Sequence, residues 1–225
     1  MWYANDAVAL DRPAPVVLGV QLLQQLVGEM NVASTANALA RHRKVMTSFR
    51  DKALFSVFDQ SLTMINGIKT KQIIIKDPAR ESALTIALLD LSHRCLAFDF
   101  LGTNSDESTD DTRTAQLPSH WRETIVKEST MQMFYELYMQ LKPPLSAKAM
   151  SCLVQLASAR RTLFSNVQRT DYLRRLVFYI KEVFRTSNGL DNADNYHEFC
   201  RLLVRFTAKH ISLSTSLGWV CSRGH

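Results

Sequence analysis

Four carboxylates in one short polar stretch are the residues of this chain best suited to bind another molecule. Asp106, Glu107, Asp110 and Asp111 stand among serines, threonines and an asparagine, between two stretches of helical apolar periodicity. A metal site, a regulatory segment and an inert connection are the three interpretations. A calcium loop requires a glycine at its bend and a closing glutamate. The stretch lacks both, so the sequence disfavours calcium.

Two interpretations of these carboxylates stay open. A solvated insertion is the commoner role of a long polar loop. In the functional alternative, the four carboxylates attract a basic patch on a protein partner, and salt weakens the contact over a Debye length of about 10 Å. Phosphorylation of Ser105, Ser108 or Thr109 would add negative charge to the same stretch.

Histidines and cysteines form two short-range pairs. His197 and Cys200 are three residues apart on one predicted helix face, which supplies half of a metal site. No second close pair completes a tetrahedron, and Cys200 falls on an apolar stripe, where a core cysteine is the commoner role. His93 and Cys95 are two residues apart and therefore point to different helix faces. The sequence predicts no metal ion and no cofactor.

Motifs of catalysis are missing from the sequence. It contains no GxSxG, no Walker loop and no GxGxxG, and seven glycines are few for a phosphate-binding fold. The segment beginning at His197 departs from HExxH because Arg201 stands in place of the second histidine. A hydrolase would need a nucleophile–base pair that the sequence does not display. We therefore predict a protein that is not an enzyme, with no catalytic residues.

Composition limits the partners. Lys and Arg exceed Asp and Glu by 6, but the basic residues are scattered in small groups, which disfavours nucleic acid. The amino-terminal residues do not form a secretory signal, and the longest apolar run is shorter than the ~20 residues of a membrane span. Four widely spaced cysteines do not build a disulfide scaffold. We expect a soluble, intracellular protein without membrane insertion.

Apolar residues recurring at intervals of three and four predict an all-α chain. Only residues 72–76 have the character of a strand, and they are too few to build a sheet. The predicted helices cover residues 15–30, 43–65, 77–102, 129–141, 146–163, 166–186 and 194–206. The remaining residues, 207–225, fit neither a helix nor a strand and are expected to form a poorly packed tail.

Local signals mark the ends of these helices. Pro78 favours the first turn of the third helix, and Asn188-Gly189 stops the sixth. Gly67 is expected to close the second helix. Ser129 with Gln132 resembles a capping box, and Ser146 is placed to cap the fifth helix.

One apolar stripe on each helix predicts stacking in successive antiparallel pairs. A buried Leu or Phe stabilises by roughly 1.5–3 kcal/mol, so six on a helix outweigh weak local propensity. No pair buries both of its flanks alone, whereas stacking does, as in solenoids. A compact helical bundle is the competing arrangement.

Trp121 is expected to pack and Arg122 to stay solvated.

Five segments carry a resemblance to a known family. They read ARHRKVMTSFRDKALFSVF, CLAFDFLGTNSDESTDD, LPSHWRETIVKESTMQMFYELY, SCLVQLASARRTLFSN and DNYHEFCRLLVR. Together they resemble the exportin-seven branch of the importin-β superfamily, which includes Ran-binding proteins sixteen and seventeen. The resemblance implies a HEAT-repeat solenoid of about three and a half helix pairs over residues 15–206. Residues 1–14 and 207–225 diverge from the family pattern.

The resemblance also implies a function. It indicates a nuclear transport receptor that binds the GTPase Ran, protein cargo and nuclear pore proteins, located in the cytoplasm, the nucleus and the nuclear pore complex. It places helices 43–65, 129–141 and 166–186 on the inner side and makes the acidic stretch an insertion between two helices of a repeat. The family's main Ran-binding repeats precede the matching region, so we expect weak or absent Ran binding. The alternative is a truncated, non-functional or dominant-interfering product.

Overall fold

Two rows of helices make up the part of the chain that the computed structural model describes, residues 8–10, 13–31, 39–98, 100, 115, 117–186 and 189–214. The first row contains α1 (Pro13–Asn31), α4 (Pro78–Leu96), α7 (Ser146–Ala157) and α9 (Ala193–Ser214). The second row contains α2 (Leu39–Phe49), α3 (Phe55–Lys69), α5 (Arg122–Val126), α6 (Glu128–Gln140) and α8 (Asn166–Thr186).

Contacts between the helices join elements that are near each other in the chain. Helix α4 packs against α1, α3 and α7, while α7 packs against α4, α6 and α9. Such nearest-neighbour packing is the pattern of a solenoid, in which each unit contacts only the units beside it. The prediction of an all-α solenoid is confirmed.

The core lies around α4 and α7. Nine of the 12 residues of α7 are buried, because neighbouring helices surround it. A helix enclosed in this way is apolar almost all round, as this one is. On α4, a run of fully buried side chains faces the same core: Leu84, Leu88, Leu89, Leu91 and Cys95.

The third predicted helix begins as expected. Asp77 precedes it, and its carboxylate accepts a hydrogen bond from the Ala79 N–H at 3.0 Å, with Pro78 in the first turn. The helix ends at Leu96, before the predicted end at Gly102, which lies outside the described residues. The fifth predicted helix also ends early, at Ala157, and a 3-10 turn covers Arg161–Leu163.

The second predicted helix is longer than expected, from Leu39 to Lys69, with a π-helical turn at Arg50–Leu54. The expectation that Gly67 closes it is wrong, because Gly67 lies inside α3. A Cβ at Gly67 would come within 2.8 Å of the Ile73 side chain. The glycine therefore serves the close approach of Ile73 rather than a helix end.

Ile73 belongs to the strand-like stretch at residues 72–76. Two of its residues, Ile73–Ile74 (β2), pair in parallel with Val8–Ala9 (β1). The Leu10 N–H extends the contact by donating to the Ile74 carbonyl at 2.9 Å. These strands are only two residues long each, so the helices carry the fold.

Two predicted caps are wrong. Helix α6 begins at Glu128, one residue before Ser129, and the Gln132 amide donates to the Glu136 carboxylate instead of closing a capping box. Ser146 is already the first residue of α7, after a turn that begins at Lys142. Its hydroxyl accepts a hydrogen bond from the Asn195 side chain at 2.8 Å, so it ties α7 to α9.

The last described helix contradicts the expectation for residues after Phe206. Helix α9 continues to Ser214, so the prediction that this stretch fits no helix is wrong for residues 207–214. Alanine and lysine, which the sequence has at positions 208 and 209, are good helix formers and favour this extension. Residues 215–225 lie outside the described part of the chain.

Gly189 provides a test of how the helices are joined. Helix α8 ends before it, as predicted, and its φ is +73°. An added Cβ would lie 2.5 Å from Asn195 Nδ2 and 2.9 Å from Pro143 Cγ. We expect Gly189→Ala to lower the free energy of unfolding, measured by urea titration, by about 1–3 kcal/mol, because both the backbone and the packing oppose a side chain there.

Gly19→Ala is the matched control for that experiment. Gly19 lies inside α1 with nothing within 4 Å of an added Cβ. Alanine is the better helix former, so this variant should gain roughly 0.5–1 kcal/mol. Equal effects of the two substitutions would contradict the assigned backbone at Gly189.

Candidate functional site: the base of the acidic insertion

The predicted site residues Asp106, Glu107, Asp110 and Asp111 lie outside the described residues, as do the three candidate phosphorylation positions beside them. The structure does describe both ends of the insertion. Phe98 and Phe100 precede it, and Ala115 and Leu117 follow it. We call these four residues, with the side chains that hold them, the insertion base.

The side of the insertion base that precedes the acidic stretch is held by aromatic packing and one hydrogen bond. Phe98 and Phe100 are both buried, and their rings meet at a centroid distance of 5.7 Å. The Phe100 carbonyl accepts a hydrogen bond from Arg50 Nη1 at 2.8 Å. Arg50 also pairs with Asp51 at 2.7 Å, which lowers the pKa of that carboxyl. The π-helical turn thus supplies the group that anchors Phe100.

The side that follows the acidic stretch is held by the backbone. The Ala115 N–H donates to the Ser158 carbonyl at 2.9 Å, and the Arg160 N–H donates to the Ala115 carbonyl at 3.2 Å. These bonds make a parallel bridge between Ala115 and Ala159. Leu117 is fully buried two residues later. The chain therefore re-enters the core directly after the insertion.

Trp121 connects the two sides. It is fully buried, as predicted, and it stacks on Phe58 with centroids 5.0 Å apart. Its edge-on partner is Phe100, at 5.6 Å. Arg122, the next residue, is exposed as expected, but its Nε also donates to the Leu163 carbonyl at 2.6 Å. The end that precedes the acidic stretch is therefore fixed to α3 through Trp121. The end that follows it is fixed beside the turn before α8.

His197 and Cys200, the pair with the spacing of half a metal site, do not gather further ligands. His197 is exposed on α9, and Cys200 is partly buried. The neighbouring Phe199, in contrast, is buried in the core. In the described ranges, no three His, Cys, Asp or Glu side chains come together as a metal site would require.

Two other cysteines are enclosed in the core. Cys95 and Cys152 are fully buried, and burial raises the pKa of Cys95 to about 12 and that of Cys152 well above its usual range. A thiol is nucleophilic as the thiolate, so both groups are unreactive near neutral pH. They pack as small apolar side chains.

A cavity of about 340 Å³ lies between α1, α4 and α7. Its polar lining includes Asn31, Asp90, His93, Arg94 and Lys148. Lys148 pairs with Asp90 at 2.8 Å and thereby links α7 to α4. The sequence did not indicate this site, because its members come from three helices and share no motif.

His93 makes the cavity sensitive to pH. It is partly buried, with Nε2 at 3.5 Å from Gln155 Nε2. Burial is the main cause that lowers the pKa of His93; Glu198 opposes the shift and Arg201 adds to it. The folded protein therefore binds this proton only at a pH below the ordinary histidine value of about 6.5.

We expect the free energy of unfolding to fall as the pH drops below about 6.5, because the unfolded chain then binds more protons than the folded one. His93→Gln retains a polar partner for Gln155 and removes the titration. Urea titrations at pH 7.5 and 5.5 should therefore show a smaller loss of stability in the variant than in the unmodified chain. The same loss in both proteins would exclude His93 as the source.

The described helices include none that is long and apolar enough to cross a membrane. Stacked helices with nearest-neighbour contacts, and a polar insertion fixed at its base, define a helical-repeat protein of the α-solenoid class. No family model and no solved structure matches the chain.

Curated relatives identify the group within this class: the chain is homologous to a segment of exportin-7 and of Ran-binding proteins 16 and 17. It is 42% identical to exportin-7-A of Xenopus laevis over 194 residues, which are 86% of this chain and 18% of that protein. Ran-binding protein 17 of Homo sapiens is 39% identical with the same coverage. Exportin-7 of Dictyostelium discoideum is 30% identical over 90% of this chain and 20% of its own length. The chain thus spans about a fifth of these relatives, and the resemblance drawn from the sequence is confirmed.

Proposed function

We propose that this chain is a segment of a Ran-dependent nuclear transport receptor and acts there as a protein-binding scaffold without catalytic activity. The observation that carries the proposal is 42% identity to an exportin over 86% of the chain, on a solenoid fold. Stacked repeats offer long surfaces for other proteins, which is how solenoids generally function. The buried, protonated thiols described above fit a structural role for the core.

The proposed partners are the GTPase Ran, protein cargo and nuclear pore proteins, and the proposed location is the cytoplasm, the nucleus and the nuclear pore complex. The names of the relatives, exportin and Ran-binding protein, support the first two partners. Since the chain covers 18% of the first relatives, most of the surface of a receptor lies outside the matched region. We therefore propose that Ran binding by the chain alone is weak or absent.

A chimera tests this function. The matching residues of Xenopus exportin-7-A are replaced by those of this chain, and proteins are recovered from an extract with Ran loaded with GTP or GDP. We expect the chimera to keep the Ran-GTP-dependent partners of the unmodified exportin, because the exchanged segments are 42% identical. The isolated chain should show no submicromolar affinity for Ran-GTP in a surface-binding assay.

Loss of every Ran-GTP-dependent partner by a folded chimera would exclude equivalence of the segments. Submicromolar binding of Ran-GTP to the chain alone would contradict the proposal that this chain binds Ran weakly or not at all.

The second candidate is a truncated, dominant-interfering product, and the exposed apolar side chains favour it. Leu18 and Leu22 on α1 are 57% and 58% exposed, and Phe178 and Phe184 on α8 are each 56% exposed. Contiguous exposed apolar surface promotes association. Size-exclusion chromatography distinguishes the two candidates, because a monomer that melts cooperatively would exclude self-association as the basis of interference.

We also propose that Asp106, Glu107, Asp110 and Asp111 contact a basic patch on a partner. The fixed base of the insertion supports this, since it ties both ends of the acidic stretch to the solenoid. The variant D106N/E107Q/D110N/D111N, made in the chimera, should recover less of its basic partners at low salt. The difference should shrink as added salt shortens the Debye length below about 8 Å.

A matched control neutralises carboxylates elsewhere on the surface, at Glu29 and Asp191, which are both exposed. It should recover the same partners as the unmodified chimera. Unchanged recovery of partners by the fourfold variant would show that the four carboxylates bind no partner and that the acidic stretch is a solvated insertion.

A further inference from the structure

Three arginines lie at the turn that leads into α8. Arg122 on α5 donates its Nε to the Leu163 carbonyl at 2.6 Å. Arg161 lies within the same 3-10 turn. Arg169, in the first turns of α8, covers the ring of Phe164, with its Cζ 5.2 Å from the ring centroid. We call Arg122, Arg161 and Arg169 the arginine cluster.

Arg169 is the unusual member of the cluster. Its side chain is almost fully enclosed, with 7% of the residue exposed, and its buried Nη1 has no hydrogen-bond partner among the described residues. Burial lowers the pKa of Arg169, and the positive charge of Arg161 adds to that effect. Buried charged donors are normally paired, so the positive charge of Arg169 is left uncompensated inside the fold.

The cluster carries an excess of positive charge. None of its three members forms an ion pair with a described carboxylate, and the nearby Asp171 is engaged by Arg174 at 3.4 Å. The amino-terminal end of α8 adds its own partial positive charge. Ser165 and Gln168 cap each other across that end, which holds the turn in place. An anion here would meet the exposed side chains of Arg122 and Arg161.

The surroundings favour a peptide over a nucleic acid. Phe164 and Tyr172 are 8% and 1% exposed, and Arg169 covers the ring of Phe164, so no aromatic face is open for a base to stack on. Val167, in contrast, is 72% exposed beside the cluster and offers an apolar contact. Guanidinium groups bind carboxylates through paired hydrogen bonds, which suits a segment rich in Asp and Glu.

We propose that the arginine cluster binds an acidic segment of a protein partner and that Val167 contacts an apolar side chain of that segment. The site is separate from the acidic stretch and does not depend on Ran-dependent transport. It gives the solenoid a second charged surface, opposite in sign to the first.

A binding assay on the full chain tests the site. The probe is a fluorescein-labelled synthetic peptide of Glu and Asp with interspersed leucines, followed by fluorescence anisotropy. We expect saturable binding that weakens with salt, and a loss of about tenfold in affinity for Arg122→Gln and for Arg161→Gln, because each removes a charge-assisted contact. Arg169→Lys should also weaken binding, since lysine keeps the charge but loses the planar group that covers Phe164 and holds the turn.

Matched controls use two arginines of α8 that already form ion pairs with carboxylates of their own helix. Arg174 and Arg185 are exposed and pair with Asp171 and Glu182. Arg174→Gln and Arg185→Gln should change the affinity less than twofold. Thermal unfolding of each variant, monitored by circular dichroism, shows that a loss of binding does not come from a loss of fold.

Several results would overturn the proposal. The first is equal binding of a peptide in which Asn and Gln replace the acids. The second is unchanged affinity in both Arg→Gln variants of the cluster. The third is tighter binding of a single-stranded oligodeoxynucleotide of equal charge. The fourfold variant D106N/E107Q/D110N/D111N should bind the peptide as the unmodified chain does. A large gain of affinity in that variant would overturn the proposal, because it would mean that the chain's own acidic stretch occupies the arginine cluster and competes with the peptide.

Discussion

Burial of α7 is the constraint on which the rest of the structure depends. This helix contacts α4 and α9 within the first row and α6 in the second row. Each contact removes apolar surface from water. Because burial of apolar area is the main favourable term in folding, the stack is stable where a central helix has neighbours all round. The short polar ties, such as Ser146 to Asn195, fix how α7 and α9 sit on that apolar surface.

The same constraint explains the surfaces at the two ends. Helix α1 has α4 as its main neighbour and α9 has α7, so leucines of α1 and Tyr196 and Val204 of α9 stay exposed. A solenoid buries each flank against the next unit, and a flank without one keeps its apolar side chains in water. The relatives are about five times longer than the matched segment, which agrees with a stack that continues in those proteins.

Function in such a scaffold depends on what the stack leaves outside the core. The acidic stretch lies in the chain between Phe100 and Ala115. The Arg50 side chain holds Phe100, and backbone hydrogen bonds to Ser158 and Arg160 hold Ala115. The arginine cluster stands at the turn between α7 and α8, and Ala115 is bonded to Arg160 next to it. The acidic stretch and the arginine cluster are therefore joined to neighbouring parts of the fold. Electrostatic complementarity of such regions selects partners more than it adds affinity.

The sequence by itself determined the helices, because their signals are local. Apolar spacing placed every long helix of the described chain, Asp77-Pro78 marked the start of α4, and Asn188-Gly189 marked the end of α8. The long segments that match relatives were also legible without coordinates. Boundaries that depend on distant residues were not: Gly67 stays helical because Ile73 approaches it, and Ser146 bonds Asn195 instead of capping its own helix.

Only the tertiary structure decided which polar groups meet. Arg122 and Leu163 are far apart in the chain, as are Arg50 and Phe100, and neither pair belongs to a recognisable motif. Periodicity states which face of a helix is apolar, but it does not state which helix covers that face or which backbone carbonyls remain open beside it. Those contacts follow from how the helices stack, since stacking brings together residues that no local pattern links.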